Sequence, residues 1–285
     1  MTDILNLNLD YDKPVNIAQD VYWVGFMDPA SGLHCNPYLI VDDGEAILID
    51  GGSRPDFATV MMKIMQTGVD PSTISTLIYH HYDPDLCGSI PNLENIIARE
   101  DLTVLSHREN NIFIRYYAAR SRLRCVETLG FKHQLKSGRT LRFFRTPYCH
   151  SAGSFVTLDE KTGILFTSDL FGSYDPPERW KLFTSLPEAC HSCTTENSFT
   201  EDFKCSQVKE FCQLVGIFNF HRRVMTSSKA LNLAMDVVTT AKPAMLASQH
   251  GAVFHKTNDI SMVVNRLKSL TDVGIDGAMP KLHGH

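Results

Sequence analysis

The chain has 285 residues, 43% of them hydrophobic and 21% charged, with 27 Lys and Arg against 32 Asp and Glu for a formal net charge of −5. Those proportions exclude wholesale disorder, and the acidic balance argues against a nucleic acid polymer held by general charge attraction. No apolar run approaches the ~20 residues that a membrane helix needs, residues 1–6 lack the basic start of a secretory signal, and eight scattered cysteines in so long a chain read as reduced thiols, so a cytoplasmic protein with no membrane association is expected.

The first half alternates short strands and helices. Residues 21–26 and 37–41 are rich in β-formers, Asp42-Asp43-Gly44-Glu45 reads as a hairpin turn, and residues 46–50 return as a strand ending at Gly51-Gly52. Val60, Met61, Ile64 and Met65 recur at helical spacing within residues 57–69. Residues 74–79 form another apolar run of strand length, leading directly into a polar segment at 80–89. A short helix at 91–99, a strand at 102–106 and a polar helix at 109–119 follow.

Strands are expected at 140–145, 154–158 and 164–168, and a surface excursion at 174–200, where prolines, serines and threonines break the apolar pattern. Helices are predicted at 201–215 and 227–240, a last strand at 244–247 and a closing helix at 259–270. No repeat, low-complexity tract or Gly/Ser linker divides the chain. The expectation is therefore a single α/β domain over residues 1–285, with strands in both halves and helices outside.

Groups able to bind a metal sit immediately after strands. The first segment is His81-Tyr82-Asp83-Pro84-Asp85, after the strand at 74–79. If it stays extended, a period of two puts His81, Asp83 and Asp85 on one side. One imidazole and two carboxylates suit a hard or borderline metal, iron or manganese rather than one that prefers thiolates. His150 stands in a second segment, before Gly153. Asp169 ends an otherwise apolar run in a third, where an unpaired carboxylate would be costly. His250-Gly251 closes a fourth. Each alone is more often a capped turn than a ligand, but four in order, each at a strand end, are hard to explain that way.

These motifs resemble the metallo-β-lactamase superfamily, and more closely its diiron branch of flavodiiron proteins and stand-alone oxygen-binding diiron proteins. The resemblance runs over about residues 21–267. It implies a metallo-β-lactamase-like αββα sandwich, two mixed sheets with helices outside. On the family's pattern His81 matches the first histidine, Asp83 the glutamate position, Asp85 the aspartate, His150 the second histidine, Asp169 the bridging aspartate and His250 the last histidine. Gly88-Ser89-Ile90-Pro91 and Ser168-Asp169-Leu170-Phe171-Gly172 match the flanking words, and Leu48-Ile49-Asp50-Gly51-Gly52 resembles the superfamily's structural aspartate segment. The implied cofactor is a pair of iron ions, with manganese or zinc as alternatives.

Two positions depart from the pattern. Asp83 is one methylene shorter than the usual glutamate, and Leu86 stands where the family usually has a histidine. Leu86 is expected to leave the second metal short of a ligand, with an open position suited to a diatomic molecule. Tyr82 is a candidate donor to a bound ligand, although alternation points it away from the other side chains. His34, on the loop before residues 37–41 with Cys35, is a candidate to support a ligand from behind. His80 reads as structural, and Cys190 and Cys193 form a Cys-x-x-Cys without a second such pair.

The resemblance implies a protein that binds, senses or reduces O2. No flavodoxin phosphate loop can be fitted to the chain, so electrons would come from a separate donor, and a signalling protein is the other expected partner. A homodimer is implied by the resemblance alone. The same six ligands would also serve a dinuclear phosphodiesterase or hydrolase, with Arg120, Arg122, Arg124, Arg222 or Arg223 gripping phosphate.

Overall fold

In the computed structural model, which describes residues 9–28, 31–176, 178–193, 212 and 214–282, the two halves of the chain build two sheets in succession. Strands β1 (Val15–Ala18), β2 (Val21–Trp23), β3 (Tyr38–Asp42) and β4 (Glu45–Ile49) form an antiparallel meander. Helix α1 (Phe57–Gln66) then crosses to β5 (Ile74–Ile78), which lies parallel to β4. The turn α2 (Pro84–Cys87) and helix α3 (Ile90–Ile97) lead to β6 (Thr103–Ser106), and α4 (Arg108–Ile114) to β7 (Arg122–Cys125), both strands continuing in parallel. The sheet order is β1-β2-β3-β4-β5-β6-β7.

The second sheet has the order β12-β14-β13-β11-β10-β9-β8. It holds β8 (Lys132–Gln134), β9 (Thr140–Arg145), β10 (Phe155–Asp159), β11 (Ile164–Phe166), β12 (Phe183–Thr184), β13 (Met245–Ala247) and β14 (Val253–Phe254). The helices of this half are α5 (Glu188–His191), α6 (Leu214–Val224), α7 (Ser228–Ala241), α8 (Thr257–Lys268) and α9 (Ile275–Leu282).

Side-chain alternation sets the layering. In β4, Ile47 and Ile49 join the apolar layer between the sheets, while Ala46 and Leu48 point outward to the layer under α1 and α3. Both faces are covered, so the strand is a continuous buried run, as parallel strands in sandwiched sheets are. Ile78 and Leu105 meet Phe143, Phe155 and Phe166 across the central layer. A third layer lies outside the second sheet, where α6, α7 and α8 bury Phe218, Leu231, Met235, Val263 and Leu267. Each fully buried aliphatic or aromatic side chain contributes ~1.5–3 kcal/mol relative to exposure. The architecture is two mixed sheets face to face with helices outside, as expected.

At one end of the sandwich, Arg139 ties the layers with charge. Its Nε and Nη2 donate to Asp159 Oδ1 and Oδ2 at 3.0 and 2.5 Å, and its Nη1 to the Val41 carbonyl of the first sheet at 3.2 Å. The opposite end receives the C-terminal ends of β5, β9, β11 and β13. β9 and β11 flank β10 antiparallel, and β13 runs parallel to β11, so their C-termini coincide.

Several elements differ from the sequence reading. Residues 84–87 are helical rather than extended, because Pro84 stands at the first helical position, where it is well tolerated. Helix α6 was not anticipated: the helix expected at 201–215 stops where it begins, and its buried face includes Gly216 and His221, which do not read as apolar. Strands β1, β7, β8, β12 and β14 are short edge or near-edge pieces, and β7 carries two arginines. The helix predicted at 201–215 falls almost wholly outside the described residues.

Candidate metal centre

Four loops at one end of the sandwich carry the six predicted ligands. His81 follows β5; Asp83 and Asp85 flank Pro84 at the start of α2; His150 lies in the β9–β10 connection; Asp169 follows β11; His250 lies between β13 and β14. Asp83 keeps extended backbone while Asp85 sits in the helical turn. Donor atoms of His81, Asp83 and Asp85 still come within 4.8 Å of one another. A helical turn thus achieves the convergence expected from simple alternation.

Two triads of donor atoms span the halves of the chain. His81, His150 and Asp169 form one, with His150 Nε2 3.1 Å from Asp169 Oδ2 and 3.2 Å from Asp83 Oδ2, and His81 Nε2 3.7 Å from Asp169 Oδ1. The other is Cys35, Asp85 and His250, with His250 Nε2 2.8 Å from Asp85 Oδ2 and 3.6 Å from Asp169 Oδ1. Asp169 therefore links the two triads, its Oδ2 toward His150 and its Oδ1 toward both His81 and His250. The side chains of Asp83, Asp85 and His150 are 33%, 28% and 21% exposed, against 1–5% for His81, Asp169 and His250, so the centre opens to solvent on the side of the former three.

Each buried ligand is held from behind. His81 Nδ1 pairs with Ser168 Oγ at 2.9 Å, which leaves Nε2 directed into the cluster. His250 Nδ1 donates to the His34 carbonyl at 2.9 Å, with Cys35 Sγ at 3.9 Å. Ser168 has φ +54°, a left-handed conformation that costs on the order of 1–3 kcal/mol in a non-glycine residue. The turn is fixed by Thr167 N donating to Ala247 O and Gln249 N to Ser168 O, at 2.9 and 2.8 Å, and it swings Asp169 from the strand into the centre.

Behind these lies a further layer. His80 Nδ1 donates to Asp50 Oδ2 at 2.6 Å and its Nε2 meets Thr157 Oγ1 at 2.8 Å, joining the two sheets beneath His81. Asn110 Nδ2 lies 3.1 Å from His80 O and 2.9 Å from Gly153 O, so it pins the His81 and His150 segments together. Gly153 is required by this approach: a Cβ there would fall 2.2 Å from Asn110 Oδ1. His221 on α6 accepts from Phe171 N at 3.0 Å and donates to Ile217 O at 2.7 Å, anchoring the loop after Asp169.

The electrostatics follow from three carboxylates in one recess. Burial works against charge on Asp169, yet the surrounding His81, His150 and His250 hold its carboxyl far below the usual range. Burial likewise opposes charge on His150, but hydrogen bonds to Asp169 and Asp83 outweigh it and the imidazole is pushed up to about 10. His250 is raised by its bond to Asp85, again against the effect of burial. The Cys35 thiol is pushed up by burial. In each of these histidine–aspartate pairings the opposite charge outweighs burial.

A metal pair fits this donor set. His81 Nε2 and Asp169 Oδ1 are buried in the cluster without any hydrogen-bond partner. Leaving two such atoms unsatisfied costs ~1–3 kcal/mol each or more, and both are directed to where cations would lie. Imidazoles and carboxylates are the donors expected for iron, manganese or zinc.

The remaining candidates are placed as follows. The Tyr82 ring stacks on Phe113 at 4.4 Å, and its carbonyl accepts from Tyr117 Oη at 2.8 Å. The His34 ring takes Asp28 N at 3.0 Å, meets Asp175 O at 2.9 Å and packs on Trp180, so only its backbone touches a ligand. Leu86 is fully buried with Ile90 and Leu93 in the layer outside the first sheet and supplies no donor atom. His80 is structural, as the sequence suggested. Arg120 is bound to Glu94 and Asn95, Arg222 Nε to the Thr271 carbonyl, and Arg223 lies over Tyr174. His191, inside the Cys-x-x-Cys, pairs with Asp259 at 2.7 Å. The sequence reading gave no role to Asn110 and His221 and quoted Ser168 only within the word around Asp169: amides, hydroxyls and buried imidazoles that work through another residue do not announce that role.

Comparison with known proteins agrees with this geometry. The chain is 30% identical over 144 residues to diflavin flavoprotein A 1 of Synechocystis sp., covering 50% of this chain and 24% of that protein. It is 27% identical over 174 residues to a nitric oxide reductase of Moorella thermoacetica, covering 57% and 43%. The chain thus spans less than half the length of these curated relatives. Among solved structures, the peroxy diiron species of the chemotaxis sensor ODP superposes with a TM-score of 0.72 at 23% identity, over 94% of this chain and 99% of that one. The family described as ODP family beta lactamase matches residues 33–251, which include all six predicted ligands, and the chain belongs to that family.

Proposed function

We propose that this protein holds two iron ions and binds, senses or reduces O2 at them. The observation that carries the reading is the pair of buried donor atoms without a hydrogen bond, His81 Nε2 and Asp169 Oδ1, amid six convergent candidate ligands. When bound, iron supplies the redox chemistry and open coordination positions that O2 requires. His81, Asp83, His150 and Asp169 would hold one ion, and Asp85, Asp169 and His250 the other. The three carboxylates offset most of the charge of a divalent pair. Ser168 and the His34 carbonyl fix the ring orientations of His81 and His250. The partly exposed side of Asp83, Asp85 and His150 gives O2 its approach.

The relatives named flavoproteins and a reductase, and the sensor, support both a reducing and a sensing role. In the first, electrons come from a separate protein; in the second, a signalling protein reads the state of the centre. The same reading takes the protein as a cytoplasmic homodimer, and iron as the resident metal in preference to manganese or zinc. The relatives' names lend the hydrolase reading no support, and of the arginines suggested for it Arg120 and Arg222 are engaged with Glu94 and the Thr271 carbonyl. The test is to load the chain anaerobically with ferrous iron, count metal, and admit O2. Two irons per chain and a new visible absorption band are expected. Two irons with no spectral change would overturn the oxygen reading.

A further inference from the structure

The Cys-x-x-Cys at residues 190–193 shares no residue with the metal centre. It lies on a short turn laid against α8. Cys190 falls in α5, and Cys193 N donates to Cys190 O at 3.1 Å, closing a turn of four residues. Such a turn keeps its outer Cα atoms within ~7 Å, and a disulfide asks for ~4.4–6.8 Å. Helix α8 holds the turn at three points. Asp259, buried in the first turn of α8, accepts from Leu186 N at 3.0 Å and pairs with His191 Nε2 at 2.7 Å. In the last turn, Arg266 Nη1 donates to Cys193 O at 2.9 Å. The separation of the two cysteines is therefore set by anchored backbone. Both line one cleft of about 370 Å³, walled by Asn258, Ser261, Asn265 and Arg266 of α8. Both are half-buried, and Cys190 also packs against the apolar layer outside the second sheet. Two amides, a hydroxyl and a guanidinium in the wall suit a small polar ligand that carries carboxylates. Among the described residues, no third donor joins Cys190 and Cys193 in a cluster of metal-ligand size, which favours exchange chemistry over a metal here.

We propose that Cys190 and Cys193 are a dithiol that exchanges with a small anionic disulfide held in this cleft. The proposal goes beyond the metal reading and does not depend on it. Cys193, beside Arg266, gives its proton to solvent and attacks one sulfur of the disulfide as the thiolate. A mixed disulfide forms, and one thiolate leaves and takes up a proton. The Cys190 thiolate then attacks Cys193 Sγ, closing an internal bridge and expelling the second thiolate, which is protonated in turn. The protein dithiol is oxidised by two electrons and the substrate disulfide is reduced to two thiols. The guanidinium supplies positive charge where the attacking thiolate forms and where the carboxylates of the substrate arrive.

The test exposes the full chain at neutral pH to glutathione disulfide, a peptide disulfide rich in carboxylates, and maps the alkylated peptides by mass. Two glutathiones released per chain and a Cys190–Cys193 bridge are expected, formed before the buried Cys35, Cys87 and Cys149 react. Cys190→Ser should retain glutathione on Cys193, and Cys193→Ser should lose the fast release. Arg266→Gln should slow bridging by glutathione disulfide about 3-fold or more, while bridging by uncharged bis(hydroxyethyl) disulfide stays within about 2-fold. Slowing both alike would overturn the preference for an anionic substrate. Bridges from Cys190 or Cys193 to Cys205 or Cys212, or a pair that stays reduced while other cysteines react, would overturn the dithiol. So would a zinc–sulfur shell in X-ray absorption of the reduced chain that Cys190→Ser removes, which would make the pair metal ligands instead. The mapping on the unaltered chain needs no variant to fold.

Discussion

At the scale of single residues, the convergence of His81, Asp83, Asp85, His150, Asp169 and His250 rests on side chains behind them, Ser168 and Asn110 among them. His81, Asp85, Asp169 and His250 follow strands whose apolar character stops abruptly, and a charged or imidazole group just past a buried strand needs a partner wherever it falls. Ser168 could not be singled out this way, because a serine before an aspartate is ordinary turn chemistry. Its role appears only when its hydroxyl is seen 2.9 Å from His81 Nδ1. Ser168→Ala should weaken binding at the first metal position by about 10–100-fold, since it frees the His81 ring to turn while removing no ligand. Competition against a chelator of known affinity measures this, and unchanged affinity would mean that packing alone orients the ring. The Leu86 position shows the reverse case: a missing donor was visible in the sequence, but that its side chain serves the apolar layer required the fold.

At the scale of elements, α6 is the clearest case of a segment whose pattern hides its role. Seven of its residues are buried, and one of the seven is His221, which reads as polar and masks part of the buried face. Burial pushes the His221 imidazole down to about 4, and the helix depends on the neutral ring to accept from Phe171 N. An unfolded histidine titrates near ~6.5, so the contribution of neutral His221 is complete above that pH. It is lost as pH falls from ~6.5 toward 4, by on the order of 3 kcal/mol. His221→Gln keeps a donor and an acceptor but has no proton to gain. Urea unfolding of chelator-treated protein should therefore show a shallower loss of stability between those pH values for the variant than for the parent. Parallel slopes would mean that His221 is not the group being charged. By contrast, β3, β4, β5 and α1 were read from sequence within a few residues, because each strand is a nearly continuous apolar run and the helix keeps its apolar spacing.

At the scale of the whole molecule, the αββα order was implied by a resemblance and by strands in both halves, whereas the pairing that forms each sheet was not deducible from short strands such as β12 and β14. Strands β1–β7 lie wholly within residues 15–125 and β8–β14 within residues 132–254. His81, Asp83 and Asp85 belong to the earlier group, and His150, Asp169 and His250 to the later. A cation seated among them therefore joins two pieces of polypeptide that, among the described residues, exchange no strand. If the backbone were severed within residues 126–131, the two fragments should reassemble through their shared apolar layer, and more tightly when ferrous or zinc ions are present than with a chelator. Equal reassembly under both conditions would show that the ions contribute no adhesion. On this view the metal acts as a rivet as well as a reagent, and emptying the site loosens one slab of the protein from the other.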